Sequence, residues 1–252
     1  MAAALNGMAL CGLRPYGATF FVFSDYLRPS MRLSALMGLP CVYVFTHDSI
    51  GVGEDGPTHQ PVEQLAAART IPNLNVLRPG DANEAVQAWR SALARTDGPS
   101  ALVLTRQNLP TYDRSKFGAA EGAARGGYVL ADCDGEPSVI LIATGSELSL
   151  AVEAFEQLSS EGVAARVVSM PSFELFDEQS EAYRDEVLPP GVTPRVGVEA
   201  GVRQGWDKYI GPKGAFVGMN RFGASAPYAK IYEEMGITSA RIVDEAKRLL
   251  GK

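Results

Sequence analysis

Short apolar runs alternate with amphipathic stretches along almost the whole chain, and this alternation restricts the fold more than any other feature. The runs that read as strands are Ala18–Phe23, Cys41–Phe45, Leu74–Leu77 and Ala101–Thr105, followed by Tyr128–Ala131, Val139–Ala143, Ala165–Val168, Arg195–Val198 and Ala215–Gly218. Between them the spacing predicts helices over Asp25–Met37, Pro61–Arg69, Asp81–Leu93, Ser146–Leu158, Glu178–Glu186, Pro227–Glu234 and Thr238–Leu250. Strand and helix in alternation imply an α/β fold with mostly parallel sheets covered on both faces. Over Asn108–Gly127 the composition turns polar and rich in Gly and Ala. A linker is therefore expected at residues 110–126, between units 1–109 and 127–252. The opening stretch MAAALNGMALCG reads as a helix with no Ser, Thr, Asp or Asn ahead of it to cap its start, so the chain is expected to open inside an element.

Composition closes off several functions. With 252 residues, 46% hydrophobic and 21% charged, the chain can bury a real core. A formal net charge of −6 and scattered Lys and Arg argue against a nucleic-acid surface. Cys11, Cys41 and Cys133 are odd in number and far apart, which suits free thiols in the reducing cytoplasm and indicates neither disulfides nor a zinc site. No apolar run approaches the roughly 18 residues of a membrane span, and the N-terminus has no basic leader of the signal-peptide kind.

The loop after the second strand concentrates the chemistry. It reads THDSIGVGEDGPTHQPVE (Thr46–Glu63) and holds both histidines of the chain, His47 and His59. Ligand sites of parallel α/β sheets lie beyond the carboxyl ends of the strands, where His47 and Arg106 both fall. Gly51-Val52-Gly53-Glu54-Asp55-Gly56 fits the dinucleotide pattern GxGxxG. However, Glu54 and Asp55 would repel a pyrophosphate and Pro57 interrupts the passage to a helix, so that reading is set aside. The two histidines stand twelve positions apart, without metal-site spacing. Near pH 7 an imidazole pair can shuttle protons on a hydroxylated substrate, and Asp55 can orient a hydroxyl. Arg106 can fork onto a phosphate or instead join a linker salt bridge. Phe20, Phe23 and Tyr26, three apart, fit either core packing or a pocket for a flat heterocycle. In ATGSELS (Ala143–Ser149), either an anion binds at the helix start or Thr144 or Ser146 caps it, with Glu147 favouring the helix dipole. Glu199 shows no spacing that demands chemistry.

Together these residues resemble transketolase. Phe45–Gln64 (FTHDSIGVGEDGPTHQPVEQ) is similar to that family's signature loop. TFFVFSDYLRPSMRLSALMGLP resembles its pyrimidine-binding segment, DGPSALVLTRQNLP its later strand and arginine, and IATGSELSLAVEA with RFGASAPYAKIYEEMGIT its third domain. The resemblance implies a thiamine-diphosphate- and magnesium-dependent transfer of a two-carbon ketol unit between ketose and aldose phosphates. It implies that Phe20, Phe23 and Tyr26 line the aminopyrimidine pocket, with Phe23 stacking on the ring. His47 and Arg106 would hold the sugar phosphate and Asp55 a substrate hydroxyl, while His59 would bind the hydroxyl near the reacting carbon and assist proton transfer. The likeness takes in only the family's pyrimidine-binding and C-terminal domains. The family's catalytic glutamate matches a position just ahead of Met1, and the magnesium and diphosphate ligands belong to its first domain. This chain alone is therefore expected to bind no thiamine diphosphate and to need that pyrophosphate-binding part as a partner, in a homodimer or higher oligomer. The alternative is a non-catalytic binding or assembly module that keeps the sugar-phosphate contacts. The family's His-Gly-Gly-Phe turn appears here as Cys11-Gly12-Leu13, one residue shorter.

Overall fold

A computed structural model describes all residues from Met1 to Lys252. Two α/β units follow one another, as the alternation predicts. In the first, α1 (Ala2–Leu10) leads into β1 (Tyr16–Phe20), α2 (Ser24–Leu36), β2 (Val42–Thr46), α3 (Gln64–Arg69), β3 (Asn75–Leu77), α4 (Ala82–Ala94) and β4 (Ser100–Val103). The four strands form a wholly parallel sheet in the order β1-β2-β4-β3. All four carboxyl ends consequently open on one edge.

The second unit runs β5 (Tyr128–Ala131), β6 (Val139–Ala143), α5 (Leu148–Ser160), β7 (Ala165–Ser169), α6 (Phe173–Asp177), α7 (Glu181–Val187), β8 (Arg195–Val202), α8 (Asp207–Ile210), β9 (Ala215–Met219), α9 (Tyr228–Glu234) and α10 (Ser239–Leu249). Its sheet has the order β5-β7-β6-β8-β9, parallel except for β5, which pairs antiparallel with β7. The central strand β6, VILIA, is buried along its full length, as a β-branched run covered on both faces must be.

Local chemistry explains several element boundaries. Asp81 caps α4 by accepting from the Glu84 amide at 2.8 Å, as its position ahead of the helix predicts. The helix expected from Pro61 begins only at Gln64, whose side chain accepts from the Val62 amide at 2.9 Å. The strand expected over Ala18–Phe23 ends earlier, at Phe20, and residues Phe21–Phe23 form a 3-10 turn. The short helix α6 was not expected. It forms because Phe173 and Phe176 bury themselves against Trp206 and Tyr209.

Ile50 and Val62, from the glycine loop of the first unit, belong to the largest core of the second. The segment between the sheets is also held: Arg114 pairs with Asp81 at 2.7 Å, and Tyr112 donates its amide to the same carboxylate at 3.1 Å. No helix is long and apolar enough to cross a membrane.

Candidate active site

The site forms at the carboxyl edge of the first sheet, where β1 and β2 lie side by side with Phe20 opposite Thr46. Had β1 run on to Phe23, the side chains of Phe20 and Phe23 would have faced opposite sides of the sheet. The 3-10 turn advances three residues per turn, so every third side chain returns to the same side. Phe20, Phe23 and Tyr26 consequently share one face. The rings of Phe20 and Phe23 stand 6.2 Å apart and nearly parallel, and Tyr26 lies 6.1 Å from Phe23.

Both histidines join this row. The His47 ring stacks on Phe20 with centroids 3.7 Å apart and planes at 19°. His59 meets Phe23 edge-on at 5.8 Å. Four half-buried rings thus run His47–Phe20–Phe23–His59, and Tyr26, 82% exposed, leaves an open flank on Phe23. Asp55 and Arg106 are exposed beside the row. Burial lowers the His47 pKa and the charge of Arg106 lowers it further, against the opposing pull of Asp55 and Asp48. Neutral imidazole is therefore favoured. The Nδ1 atom of His47 lies 3.0 Å from the Thr46 hydroxyl, and that of His59 lies 3.0 Å from the Thr58 hydroxyl. When those hydroxyls donate, each imidazole carries its proton on Nε2.

The glycine loop holds its shape through bonds to its own backbone and to the second unit. Ser49 caps the turn Ile50–Asp55, and Gly53 breaks it with φ 80° and ψ −124°, a backbone conformation in the glycine-favouring region. The Gln60 amide donates to the carbonyls of Gly53 at 2.8 Å and Ala224 at 2.9 Å. The Ser225 hydroxyl donates to the Glu54 carbonyl. The next helix starts only at Gln64, so the glycines face no helix N-terminus of the kind a dinucleotide pyrophosphate uses.

His47 itself adopts φ 59°, one of two non-glycine residues with positive φ. Directly after it, Asp48 is buried and pairs with Arg78 at 2.7 Å. Arg78 follows β3 and is wholly buried. Its guanidinium also reaches Glu147 at 2.5 Å and the Thr144 hydroxyl at 2.8 Å, both in the second unit. Glu147 accepts from the Tyr232 hydroxyl at 2.7 Å, which in turn lies 3.3 Å from the Ser49 hydroxyl. Ser49 donates to Asp48 at 3.1 Å, so the five side chains form a closed ring in which the Ser49–Tyr232 link is a contact between two hydroxyl oxygens whose protons point to the flanking carboxylates.

Beside this ring, Arg69 grips both carboxylate oxygens of Glu199, at 2.8 and 2.7 Å, and Trp206 donates to the same group at 3.0 Å. Burial alone would raise the pKa of Glu199, but Arg69 outweighs it and holds the group at about 2. Burial and the Glu147 charge raise Asp48, because Arg78 is shared between two carboxylates. Burial would lower Arg78, yet Glu147 and Asp48 lift it well above its ordinary value.

Sequence reasoning missed Asp48, Arg78 and this use of Glu147 and Glu199. Arg78 carried the same signal as His47 and Arg106, an ionisable residue just after an apolar strand run. The helix-start reading of ATGSELS is corrected as well. Neither Thr144 nor Ser146 caps the backbone; their hydroxyls bond Glu199 and Glu147 instead. Glu147 occupies the position where an anion would have sat, because Arg78 neutralises it there.

Residues 1–111 match the family model of the transketolase pyrimidine-binding domain, and residues 126–238 that of the transketolase-like C-terminal domain. A transketolase of Geobacillus stearothermophilus is 56% identical over 254 residues, covering 100% of this chain and 38% of the relative. A transketolase from Pichia stipitis, solved in complex with sedoheptulose 7-phosphate, superposes with a TM-score of 0.93 at 43% identity and covers 100% of this chain and 36% of that one. A chain described as a split gene transketolase, inactive beta4 tetramer, superposes at 0.78 with 25% identity, covering 98% of this chain and 80% of that one. The chain therefore spans little more than a third of the first two relatives and most of the third.

Proposed function

The chain belongs to the transketolase family, and we propose that it supplies the pyrimidine-facing and substrate-facing half of a ketol-transfer site. A pyrophosphate-binding domain from outside these residues would complete that site. The observation that carries this reading is the single row of rings in which Phe20 and Phe23 stand between His47 and His59. The family uses thiamine diphosphate, and the half-buried rings fit the flat aminopyrimidine half of that cofactor. The resemblance puts the diphosphate and Mg2+ ligands in the family's first domain, so this reading assigns both groups to the completing domain. When bound, the cofactor stabilises the negative charge that develops as the two-carbon unit leaves its ketose.

Each residue then has a physical task. Phe23 offers its face to the heterocycle, flanked by Phe20 and Tyr26. Neutral His47 donates from Nε2 to a phosphate oxygen while Arg106 supplies the fixed positive charge. Asp55 accepts from a substrate hydroxyl. His59, on the edge of Phe23, holds the hydroxyl nearest the reacting carbon and moves its proton. Residues 1–109 act as the pyrimidine-binding domain and 127–252 as the C-terminal domain, with 110–126 the connection. Sugar-phosphate metabolism of the pentose phosphate kind, in the cytoplasm, is the setting that fits this chemistry.

Of thirteen exposed large apolar side chains, eleven lie between Met1 and Leu93. An apolar concentration on one unit favours assembly through it, as a homodimer or higher oligomer or with the completing domain. The same observation supports the second reading, an assembly module without turnover of its own. Mixing this chain with a pyrophosphate-binding domain, thiamine diphosphate and Mg2+ separates the two. Ketol transfer between a ketose and an aldose phosphate is expected in the mixture and not from this chain alone. An inactive mixture favours the second reading, and turnover by the lone chain removes the need for a partner. Calorimetry with ribose 5-phosphate, comparing wild type with Arg106→Ala, tests the phosphate site directly.

A further inference from the structure

We propose that the closed ring Asp48–Arg78–Glu147–Tyr232–Ser49 positions His47, so that the second unit sets the substrate-binding geometry of the first. The inference rests on the reading of His47 as a phosphate-holding group and explains how that group is kept in place. His47 has a left-handed backbone, a conformation that residues other than glycine sparsely populate. Such conformations persist only where the surroundings over-determine them. Upstream, Thr46 is fixed by its sheet pairing with Phe20. Downstream, the next two residues, Asp48 and Ser49, are both members of the ring.

Arginine suits the central place because its planar fork serves two acceptors in different directions. Nε donates to Asp48 at 2.9 Å and Nη1 to Glu147. The backbone of Arg78 is tied across the same seam. Its amide donates to the Pro171 carbonyl at 2.8 Å, and its carbonyl accepts from the Gly145 amide at 3.0 Å. Tyr232 and Glu147 contribute from α9 and from the turn before α5, so docking of the second unit closes the ring. These residues touch no reacting atom in the proposed site. Their role is positional.

With only two histidines in the chain, ring signals in a proton–carbon spectrum report on the site directly. Tyr232→Phe removes the hydroxyl between Glu147 and Ser49 and leaves every charge paired. In the 252-residue chain this variant is expected to move the His47 ring cross-peaks and leave those of His59 in place. It is also expected to weaken ribose 5-phosphate binding about tenfold, the scale of one hydrogen bond to a charged group. Arg78→Lys is expected to act in the same direction and more strongly. A Tyr232→Phe chain that melts earlier but keeps the His47 cross-peaks and the wild-type affinity would make the ring a structural staple and overturn the proposal. So would a variant in which nothing changes. Should Tyr232→Phe fail to fold, Ser49→Ala opens the ring at its other hydroxyl and is judged by the same signals. If the wild-type chain gives no heat with ribose 5-phosphate, the phosphate reading of His47 falls, and the cross-peaks still decide whether the ring positions it.

Discussion

The imidazole of His47 lies face to face with the ring of Phe20, their centroids 3.7 Å apart. The contact buries one side of the histidine, and burial, with Arg106 nearby, lowers its pKa from the ordinary 6.5. The folded chain therefore binds fewer protons at this position than the unfolded chain. The stability His47 contributes is fully present above pH 6.5 and is lost as the pH falls through the depressed folded value. Urea titrations of wild type and His47→Gln at a series of pH values should show the variant lacking part of this acid-side loss. Identical slopes would mean the stacking leaves the imidazole unperturbed.

Tyr26 separates binding from folding. At 82% exposure it supports little of the core, so Tyr26→Ala should leave stability within about 0.5 kcal/mol. In the completed assembly the same change should weaken thiamine diphosphate binding by about 0.5–1.5 kcal/mol, the scale of one aromatic contact. A melting curve and a cofactor titration on the same preparation decide it. Unchanged affinity would remove Tyr26 from the pocket.

Glu199 makes the opposite prediction. Arg69 holds it on both oxygens and Trp206 on one, all in the seam between the units. Glu199→Ala leaves a largely buried arginine unpaired and should destabilise by about 3–5 kcal/mol. With the carboxyl held at about 2 against 4.5 when free, its stabilisation is present above pH 4.5 and disappears as the pH falls toward 2. Acid unfolding of wild type, followed by tryptophan fluorescence, should centre in that window.

Gly145 gives a steric test of the buried arginine. Its φ is 53°, and a Cβ there would lie 2.6 Å from the Arg78 guanidinium carbon. That guanidinium cannot retreat without releasing Asp48, Thr144 or Glu147. Gly145→Ala should therefore cost about 2 kcal/mol or more by chemical denaturation. A loss under about 0.5 kcal/mol, ordinary for an unconstrained surface site, would show that Arg78 has room to move.

What the sequence made legible followed from local rules. His47 and Arg106 stood out because each comes just after an apolar strand run, and Asp81 because it precedes a helix. The 3-10 turn at Phe21–Phe23 was not legible. An aromatic run reads as strand, whereas in the fold Phe21 is buried against Phe45 and Phe21–Phe23 leave the sheet as a 3-10 turn. The seam was illegible for a different reason. Arg78 and Glu147 are 69 positions apart and Arg69 and Glu199 are 130 apart, so neither pair leaves a periodic or spaced signal. Each residue alone looks like an ordinary surface charge. Only the docked units reveal that Arg78 and both acids are buried and that Arg69 is nearly so.

The buried fork of Arg78 also bears on how the two units find each other. An oily contact tolerates a slip of an ångström or two, because greasy surfaces attract in many registers. A guanidinium surrounded by fixed acceptors does not. Shifted from Asp48, Thr144 and Glu147, it would leave a desolvated charge without partners, a penalty of about 3–5 kcal/mol. Misaligned arrangements are thereby rejected before any ligand arrives, and the seam acts as a fidelity check on the chain's own assembly.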